Sequence, residues 1–315
     1  MNEFRYDALL VLTYGGPESP DGVPAYLERL FAGKSPSPQA LLRGEQRYAL
    51  IGGKSPIMHE ARLFAASLRE EFSNLPVYLG CLYAPPFPEE SLKEIAAAGH
   101  RRVLVLITSP FGIEGVRSRY TECLRHASDA APKTEFFFAP PFYAHPKWIR
   151  AQADLILSLL AEAELERIRW DGRDEKGECV LLFTAHSLPL AAAGGYPDEL
   201  RECCLAVAEA LRPRAIPRHL VYQSRSGPAD SWLGPDAEEF VRTIPGLHPG
   251  VTDCLVVPIG FFFENLETAA DLDIDLAVAA KKANLTYRRA PAAWRAPEIT
   301  EMIRGFLTAS LPAIR

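Results

Sequence analysis

The feature that most constrains the fold of this chain is the alternation of short apolar runs with helix-like segments along its whole length. The apolar runs are bounded by glycine and proline, and they are continuous rather than alternating with polar residues. Such runs are expected for strands that are buried on both faces of a parallel sheet. They lie at 7–13, 76–80, 102–108, 135–140, 178–185, 219–224, 254–260 and 285–289. Because strands and helices alternate, the sequence predicts an α/β fold.

The two halves of the chain resemble each other in pattern. The loop "LTYGGPESP" corresponds in kind to "FTAHSLPL", and "ITSPFGIEG" corresponds to "VPIGFFFEN". We therefore predict two Rossmann-like, doubly wound lobes, each with a parallel four-stranded sheet, over 1–150 and 151–315. The last helix can pack back on the N-terminal lobe. Ligands of open α/β sheets bind outside the carboxyl ends of the strands, so the functional site is expected in these loops.

Composition excludes several classes of function. The 315 residues carry 34 Lys and Arg against 40 Asp and Glu, a net charge of −6, which leaves no basic footprint for nucleic acid. No apolar run approaches the roughly 20 residues of a membrane span, and the N-terminal stretch has no signal-peptide pattern. We expect a cytoplasmic protein without a membrane span. The six cysteines form no CxxC pair, which favours reduced thiols over a zinc or disulfide framework.

Two short stretches imitate catalytic motifs without completing them. "IGGKSP" at 51–56 resembles the end of a phosphate loop, but Tyr48 stands where that motif requires its first glycine. "AHSLP" at 185–189 places a histidine beside a serine, but a nucleophile elbow reads GxSxG. Neither a nucleotide phosphate site nor a serine hydrolase is predicted.

A histidine and an acidic row follow two strands of the second half. His186 follows the run at 178–185, and four carboxylates follow the run at 254–260: Glu264, Glu267, Asp271 and Asp275. At about 100° per residue, these carboxylates would share one face of an α-helix. An imidazole with a carboxylate can chelate a divalent cation or accept protons. The alternatives are a loop histidine bonded to backbone and a solvated helix face.

Tyr14 ends the first strand and is followed by Gly15 and Gly16, which allow a close approach of the backbone to a ligand. A tyrosine at this position either caps the core or contacts that ligand.

Five stretches together are similar to the ferrochelatase family, which inserts ferrous iron into a porphyrin at the end of haem synthesis. The resemblance covers nearly the whole chain and is carried by "LLVLTYGGP" (9–17), "RYALIGGKSPI" (47–57), "TAHSLP" (184–189), "YQSRSGPADSWLGPD" (222–236) and "VVPIGFFFENLETAADLDID" (256–275).

The resemblance implies two Rossmann-like lobes with a porphyrin cleft between them. It implies that His186 and Glu267 are the catalytic pair that binds the metal and handles protons. The positions of Asp271 and Asp275 would continue an acidic line that also takes part in metal binding, in a helix with a local π-type widening.

The resemblance also assigns porphyrin contacts to the first half of the chain. Tyr14 matches a tyrosine that ligates the product iron in the branch of the family that uses coproporphyrin, which favours coproporphyrin III as substrate. Arg47, Tyr48, Ser55 and Tyr120 match positions that line the porphyrin. The chain departs from the family at a basic position occupied by Phe31 and Ala32, with Arg29 and Lys34 nearby but out of register, and at Leu82.

By this resemblance, Fe²⁺ and the porphyrin are substrates and no resident cofactor is required. An iron–sulfur cluster held by C-terminal cysteines is not expected, because the last cysteine is Cys254. Transient partners in haem synthesis are expected. Three alternatives remain: a protoporphyrin IX ferrochelatase, a cobalt chelatase that acts on a sirohydrochlorin-type ring, and a non-catalytic metal- or tetrapyrrole-binding protein.

Overall fold

The computed structural model describes residues 4–31, 38–167 and 178–313; Ala32 and Lys34 lie outside these ranges. Every predicted apolar run overlaps a strand. The strands are β1 (Ala8–Thr13), β2 (Val77–Cys81), β3 (Arg102–Ile107), β4 (Glu135–Phe138), β5 (Glu178–His186), β6 (Arg218–Gln223), β7 (Val251–Val257) and β8 (Thr286–Arg289).

Helices connect the strands, and several of them begin at a proline, whose fixed φ fits the first helical position. The α-helices are α1 (Val23–Leu30), α2 (Pro38–Leu50), α3 (Ile57–Glu71), α4 (Pro88–Ala97), α5 (Glu114–Ala127), α6 (Pro146–Arg167), α7 (Leu190–Ala193), α8 (Tyr196–Ala210), α9 (Ala237–Val241), α10 (Ile244–Leu247), α11 (Ala277–Lys282) and α12 (Pro297–Thr308). A π-helix, Thr268–Leu276, runs directly into α11.

The strands form two four-stranded sheets, with the orders β2-β1-β3-β4 and β6-β5-β7-β8. All pairings within them are parallel. Two doubly wound parallel sheets with flanking helices confirm the predicted fold class.

The chain divides into two compact units. The N-terminal unit contains Met1–Pro141, Phe263–Leu266 and Ile299–Arg315, and the C-terminal unit contains Phe142–Phe262 and Glu267–Glu298. The boundary predicted at residues 150 and 151 lies within α6, which belongs to the C-terminal unit along its whole length.

The N-terminal unit packs its sheet against helices on an apolar core, and the C-terminal segment completes it. Tyr6 links the first residues to the last: its hydroxyl donates to the Ala309 carbonyl at 2.9 Å and accepts from the Leu311 N–H at 3.1 Å. Phe137, at the end of the sheet, forms an antiparallel bridge with Ala313. The residues of α12 from Ile299 onwards therefore belong to this unit.

In the C-terminal unit, β7 begins three residues earlier than the apolar run predicts. Its first part includes exposed Thr252 and buried Asp253, and the Asp253 carboxylate pairs with Arg288 of β8 at 3.2 Å. A charge can be buried in a strand when it is paired in this way. The start of β7 was predicted too late because a carboxylate interrupts the apolar pattern even when it is paired and buried.

None of the helices in the part of the chain that the structure describes is long and apolar enough to cross a membrane.

Candidate active site

The centre of the site in the C-terminal unit is the contact between His186 and Glu267. His186 is the last residue of β5, and Glu267 precedes the π-helix that follows β7. β5 and β7 are neighbouring parallel strands, so both side chains emerge at the same edge of the sheet. His186 Nδ1 lies 2.8 Å from Glu267 Oε2, and the two side chains are 38% and 27% exposed. The pair is thus formed within the unit but stays accessible.

The pair favours its charged form. Burial alone would lower the pKa of His186, but the charge of Glu267 and the hydrogen bond to it outweigh burial and raise that pKa. Burial alone would raise the pKa of Glu267, but the attraction of His186 and hydrogen bonds from its neighbours lower it. The site therefore holds a carboxylate beside an imidazole that readily carries a proton.

Gln223 and Ser224, which sequence analysis did not single out, complete the surroundings of Glu267. Both come from the carboxyl end of β6, the other neighbour of β5. The Ser224 hydroxyl contacts Glu267 Oε2 at 3.0 Å and Gln223 Nε2 donates to it at 3.4 Å. Ser224 Oγ also contacts Asp271 Oδ2, so one hydroxyl connects two carboxylates. The sequence signal was the polar pair that ends the run at 219–224, within the quoted stretch 222–236.

Ser224 adopts a left-handed backbone conformation, with φ of 63°. A non-glycine residue in this region is uncommon and costs free energy. Here it accompanies a hydroxyl that contacts both Glu267 and Asp271.

The acidic row differs from the α-helical face that the spacing predicted. Glu264 lies before the helical segment, among the residues of the N-terminal unit. Glu267 directly precedes a π-helix that carries Asp271 and Asp275 and whose bonds join residues i and i+5. Residues four apart fall only slightly short of a full turn of such a helix, so these acids still follow one side of it. The prediction of four aligned carboxylates was wrong for Glu264. The π-type widening implied by the family resemblance is present.

The π-helix keeps an apolar side in the core while it carries these acids. Leu272 and Leu276 are fully buried in the core of the C-terminal unit. On its exposed side, Asp273 pairs with Arg289 of β8 through two contacts at 2.6 and 2.8 Å. Asp275 lies four residues beyond Asp271 on the same helix. Among the described residues, no group of three or more His, Cys, Asp and Glu side chains is arranged to hold a metal ion.

In the N-terminal unit, the candidate porphyrin contacts gather at the carboxyl ends of β1 and β2. Gly16 approaches Ser55 so closely that a Cβ added to it would lie 2.6 Å from the Ser55 Cβ. The Ser55 N–H donates to the Pro17 carbonyl at 2.8 Å, which fixes Ser55 beside the loop that follows Tyr14. Arg47 is half-buried in the last turn of α2.

Five tyrosines from different elements form an aromatic group that we call the tyrosine cluster: Tyr14, Tyr26, Tyr48, Tyr83 and Tyr120. The Tyr14 ring lies 5.4 Å from that of Tyr83 and 6.0 Å from that of Tyr120. The Tyr26 ring lies 5.8 Å from that of Tyr48 and 6.4 Å from that of Tyr83. Tyr14, Tyr48 and Tyr120 were predicted from the sequence as porphyrin contacts, whereas Tyr26 and Tyr83 were not.

Two of these tyrosines are held as neutral phenols. Burial raises the pKa of Tyr26 and of Tyr120 well above the usual value. Tyr14 and Tyr83 are only half-buried. They form the accessible side of the cluster.

Arg119, next to Tyr120 on α5, is the cation that contacts this accessible side. Its Nη1 donates to the Tyr83 hydroxyl at 3.4 Å. Burial would lower the pKa of Arg119, but the charges and hydroxyls of Tyr14 and Tyr83 outweigh it and raise that pKa. Arg119 is thus held as a cation next to two phenol oxygens.

Comparison with known proteins identifies the family. A sequence model described as Ferrochelatase matches residues 6–311. The chain belongs to the ferrochelatase family. This confirms the resemblance deduced from the five sequence stretches. His186, Glu267 and the tyrosine cluster are therefore residues of a ferrochelatase-family member.

Relatives of this ferrochelatase-family chain are found among characterised proteins and solved structures. It is 34% identical to the coproporphyrin III ferrochelatase of Frankia alni, over 95% of this chain and 78% of the relative. It is 32% identical to the coproporphyrin III ferrochelatase of Streptomyces griseus, over 96% of this chain and 84% of the relative. The structure of SirB from Bacillus subtilis with Fe³⁺ aligns with a TM-score of 0.55 over 95% of this chain and 92% of that one. At 12% identity, SirB shares the fold alone.

Proposed function

We propose that this protein inserts Fe²⁺ into coproporphyrin III in haem biosynthesis and produces coproheme. The observation that carries the proposal is the His186–Glu267 contact of 2.8 Å at the carboxyl edge of a parallel sheet. It is supported by membership of the ferrochelatase family and by relatives named coproporphyrin III ferrochelatase. A histidine and a carboxylate suit both parts of this reaction, because they can bind a divalent cation and accept protons.

Metal insertion requires that the pyrrole N–H protons leave as Fe²⁺ enters the ring. In our proposal, Glu267 and His186 accept these protons and bind the incoming iron. Ser224 connects Glu267 to Asp271, and Asp271 with Asp275 passes protons or cations along the π-helix. General-base assistance of this kind is typically worth about 10²–10⁴-fold in rate.

The residues of the N-terminal unit are proposed to bind the porphyrin. Tyr14 would ligate the iron of the product, while Arg47, Tyr48, Ser55 and Tyr120 would contact the macrocycle. Aromatic rings suit a flat, apolar ring system, and an arginine suits a propionate. The tyrosine cluster supports this assignment, because it gathers three of these residues with two further tyrosines.

We propose that the reaction needs no resident cofactor, since iron is a substrate, and that it takes place in the cytoplasm with transient partners in haem synthesis. Burial raises the pKa of the Cys203 and Cys254 thiols to about 12, which keeps them in the thiol form. Buried thiols of this kind are usual in a reducing compartment.

One anaerobic assay tests the proposal. Wild-type protein and Glu267→Gln are given Fe²⁺ with coproporphyrin III or protoporphyrin IX, and metal insertion is followed by absorbance. We expect the wild type to metallate coproporphyrin III faster, and the variant to lose about 10²-fold or more in rate. Near wild-type insertion by a folded Glu267→Gln protein would overturn the assignment of Glu267. Faster insertion into protoporphyrin IX would overturn the proposal that coproporphyrin III is the substrate. Porphyrin binding without metal insertion would overturn the proposal that the protein is an enzyme.

A further inference from the structure

The geometry of the tyrosine cluster gives Tyr14 a partner beyond its aromatic neighbours. The Tyr83 N–H donates to the Tyr14 carbonyl at 3.0 Å, and the two rings are 5.4 Å apart. Tyr83 is itself held by Arg29, whose Nε donates to the Tyr83 carbonyl at 2.8 Å. Tyr83 is therefore a fixed support beside Tyr14.

Arg119 differs from the other arginines near this cluster. Arg29 donates to a backbone carbonyl and lies 5.6 Å from the centre of the Phe87 ring. Arg117 donates to the Ala139 carbonyl at 3.4 Å. The guanidinium of Arg119 instead donates to the side-chain hydroxyl of Tyr83, whose ring lies 5.4 Å from the Tyr14 ring. In the described part of the chain, no carboxylate forms an ion pair with Arg119, so its charge acts on the phenol oxygens of Tyr14 and Tyr83.

We propose that Arg119 is a positioning residue for Tyr14 as ligand of the product iron. A phenol that binds ferric iron releases its proton to solvent and becomes a phenolate, and a guanidinium beside it stabilises that negative charge with a charge-assisted hydrogen bond. Arg119 also restricts the Tyr14 side chain, because it holds the Tyr83 ring that lies 5.4 Å from the Tyr14 ring. This inference rests on the proposed role of Tyr14. It assigns to Arg119 tighter binding of the iron-loaded ring than of the metal-free ring.

Selectivity between the two rings separates this role from two others. If Arg119 paired with a propionate, its loss would weaken the binding of metal-free and of ferric coproporphyrin III alike, since both carry the same propionates. If it only held the shape of the cluster, the binding of both rings would also weaken alike. Stabilisation of an iron-bound phenolate affects the binding of the ferric ring alone.

The test compares the affinity of both rings for a set of variants. Metal-free and ferric coproporphyrin III are titrated into wild-type, Arg119→Gln, Arg119→Lys and Tyr83→Phe proteins. The control, Arg125→Gln, removes an arginine from the exposed side of the same helix. We expect Arg119→Gln to raise the Kd of the ferric ring about tenfold and to leave that of the metal-free ring unchanged. Arg119→Lys should restore most of the affinity, Tyr83→Phe should have a smaller effect, and the control should bind like the wild type.

The absorption spectrum of the ferric complex supplies a second readout. We expect Tyr14→Phe to abolish its tyrosine-ligand features and Arg119→Gln to weaken them. An unchanged Kd and spectrum in Arg119→Gln, or an equal loss for both rings, would overturn the role of Arg119. An unchanged spectrum in Tyr14→Phe would overturn the role of Tyr14 and with it this inference. The proposed insertion activity is judged separately by the anaerobic assay.

Discussion

Glu267 collects three contacts on a single carboxylate oxygen, from His186, Ser224 and Gln223. These groups come from the ends of β5 and β6, while Glu267 itself follows β7. The carboxylate is therefore fixed by the convergence of three neighbouring strands. Its ionised form is favoured because each contact favours a negative charge.

The first prediction concerns the pKa of His186. Replacement of Glu267 by glutamine removes the main charge that raises this pKa and leaves Asp271, so the pKa of His186 should fall below that of the wild type. NMR titration of the histidine ring protons measures this change, with Asp230→Asn as an exposed control in the same unit. A His186 pKa that does not move in Glu267→Gln would show that the pair is not coupled in solution.

The same shifts fix the pH window in which the pair stabilises the fold. The pKa of His186 is raised on folding, so its contribution is full below the unfolded pKa and is lost as pH rises through the folded pKa. The pKa of Glu267 is lowered, so its contribution is present above the unfolded pKa and is lost as pH falls through the folded pKa. Urea unfolding of the wild type and Glu267→Gln should therefore differ most at mildly acidic pH. A difference that grows steadily into alkaline pH would contradict this.

The second prediction concerns Ser224. Ser224→Ala removes the hydroxyl that contacts Glu267 and Asp271 but keeps the Cβ and the backbone conformation. We expect kcat for iron insertion to fall about 10–100-fold, because a displaced Glu267 is a poorer base, with little change in KM for the porphyrin. Ser231→Ala, which removes an exposed hydroxyl from the same unit, is the control. Equal kcat values for the two variants would rule out the positioning role.

Among the elements, the π-helix shows both the reach and the limit of sequence analysis. The acids of this helix, and its position after β7, could be read from the spacing of residues 264–275. The width of its turns could not be read from the sequence, because nothing in the local pattern indicates hydrogen bonds between residues i and i+5. The start of the helix could not be read either: Glu264 lies before it, and Asp271 and Asp275 are carried by the π-helix.

The third prediction concerns the loop after β1. Gly16→Ala would place a methyl group 2.6 Å from the Ser55 Cβ, so the loop or Ser55 must move. Such overpacking typically costs about 1–3 kcal/mol, and it should also weaken porphyrin binding. Gly305→Ala in α12, where a Cβ meets no atom within 4 Å, is the control. It should be neutral or raise stability by about 0.5–1 kcal/mol. Thermal unfolding and porphyrin titration of both variants measure these effects, and equal stability of the two would contradict the packing argument.

Across the chain, the sequence predicted the sheets better than the site. Strands buried on both faces leave a continuous apolar run, so the bounds of β1 and β3 could be predicted closely. The start of β7 was predicted too late, because the charged Asp253 is buried there beside Arg288. The pairing of His186 with Glu267 followed from neighbouring strand ends. The meeting of Tyr26 with Tyr83 depends on long-range packing, which no local pattern encodes.

The fourth prediction concerns the packing of α12 in the N-terminal unit. Met302 is 1% exposed, and Met302→Ala should lower the free energy of unfolding by about 2–5 kcal/mol, because a buried cavity replaces its side chain. Leu205, which is 61% exposed on α8, supplies the control Leu205→Ala, with an expected change within about 0.5 kcal/mol. Urea unfolding of both variants tests this. Similar midpoints would show that α12 contributes little to that core.

The bonds that join Tyr6 to Ala309 and Leu311 affect how the newly made protein reaches its native state. Domains usually fold in order as the ribosome extends the chain. Here the strand at residues 8–13 must wait for residues from Ile299 onwards, which belong to the same unit but are synthesised after the C-terminal unit. The N-terminal core is therefore completed only after the C-terminal unit has been made, and until then the nascent chain exposes the apolar surface that α12 covers.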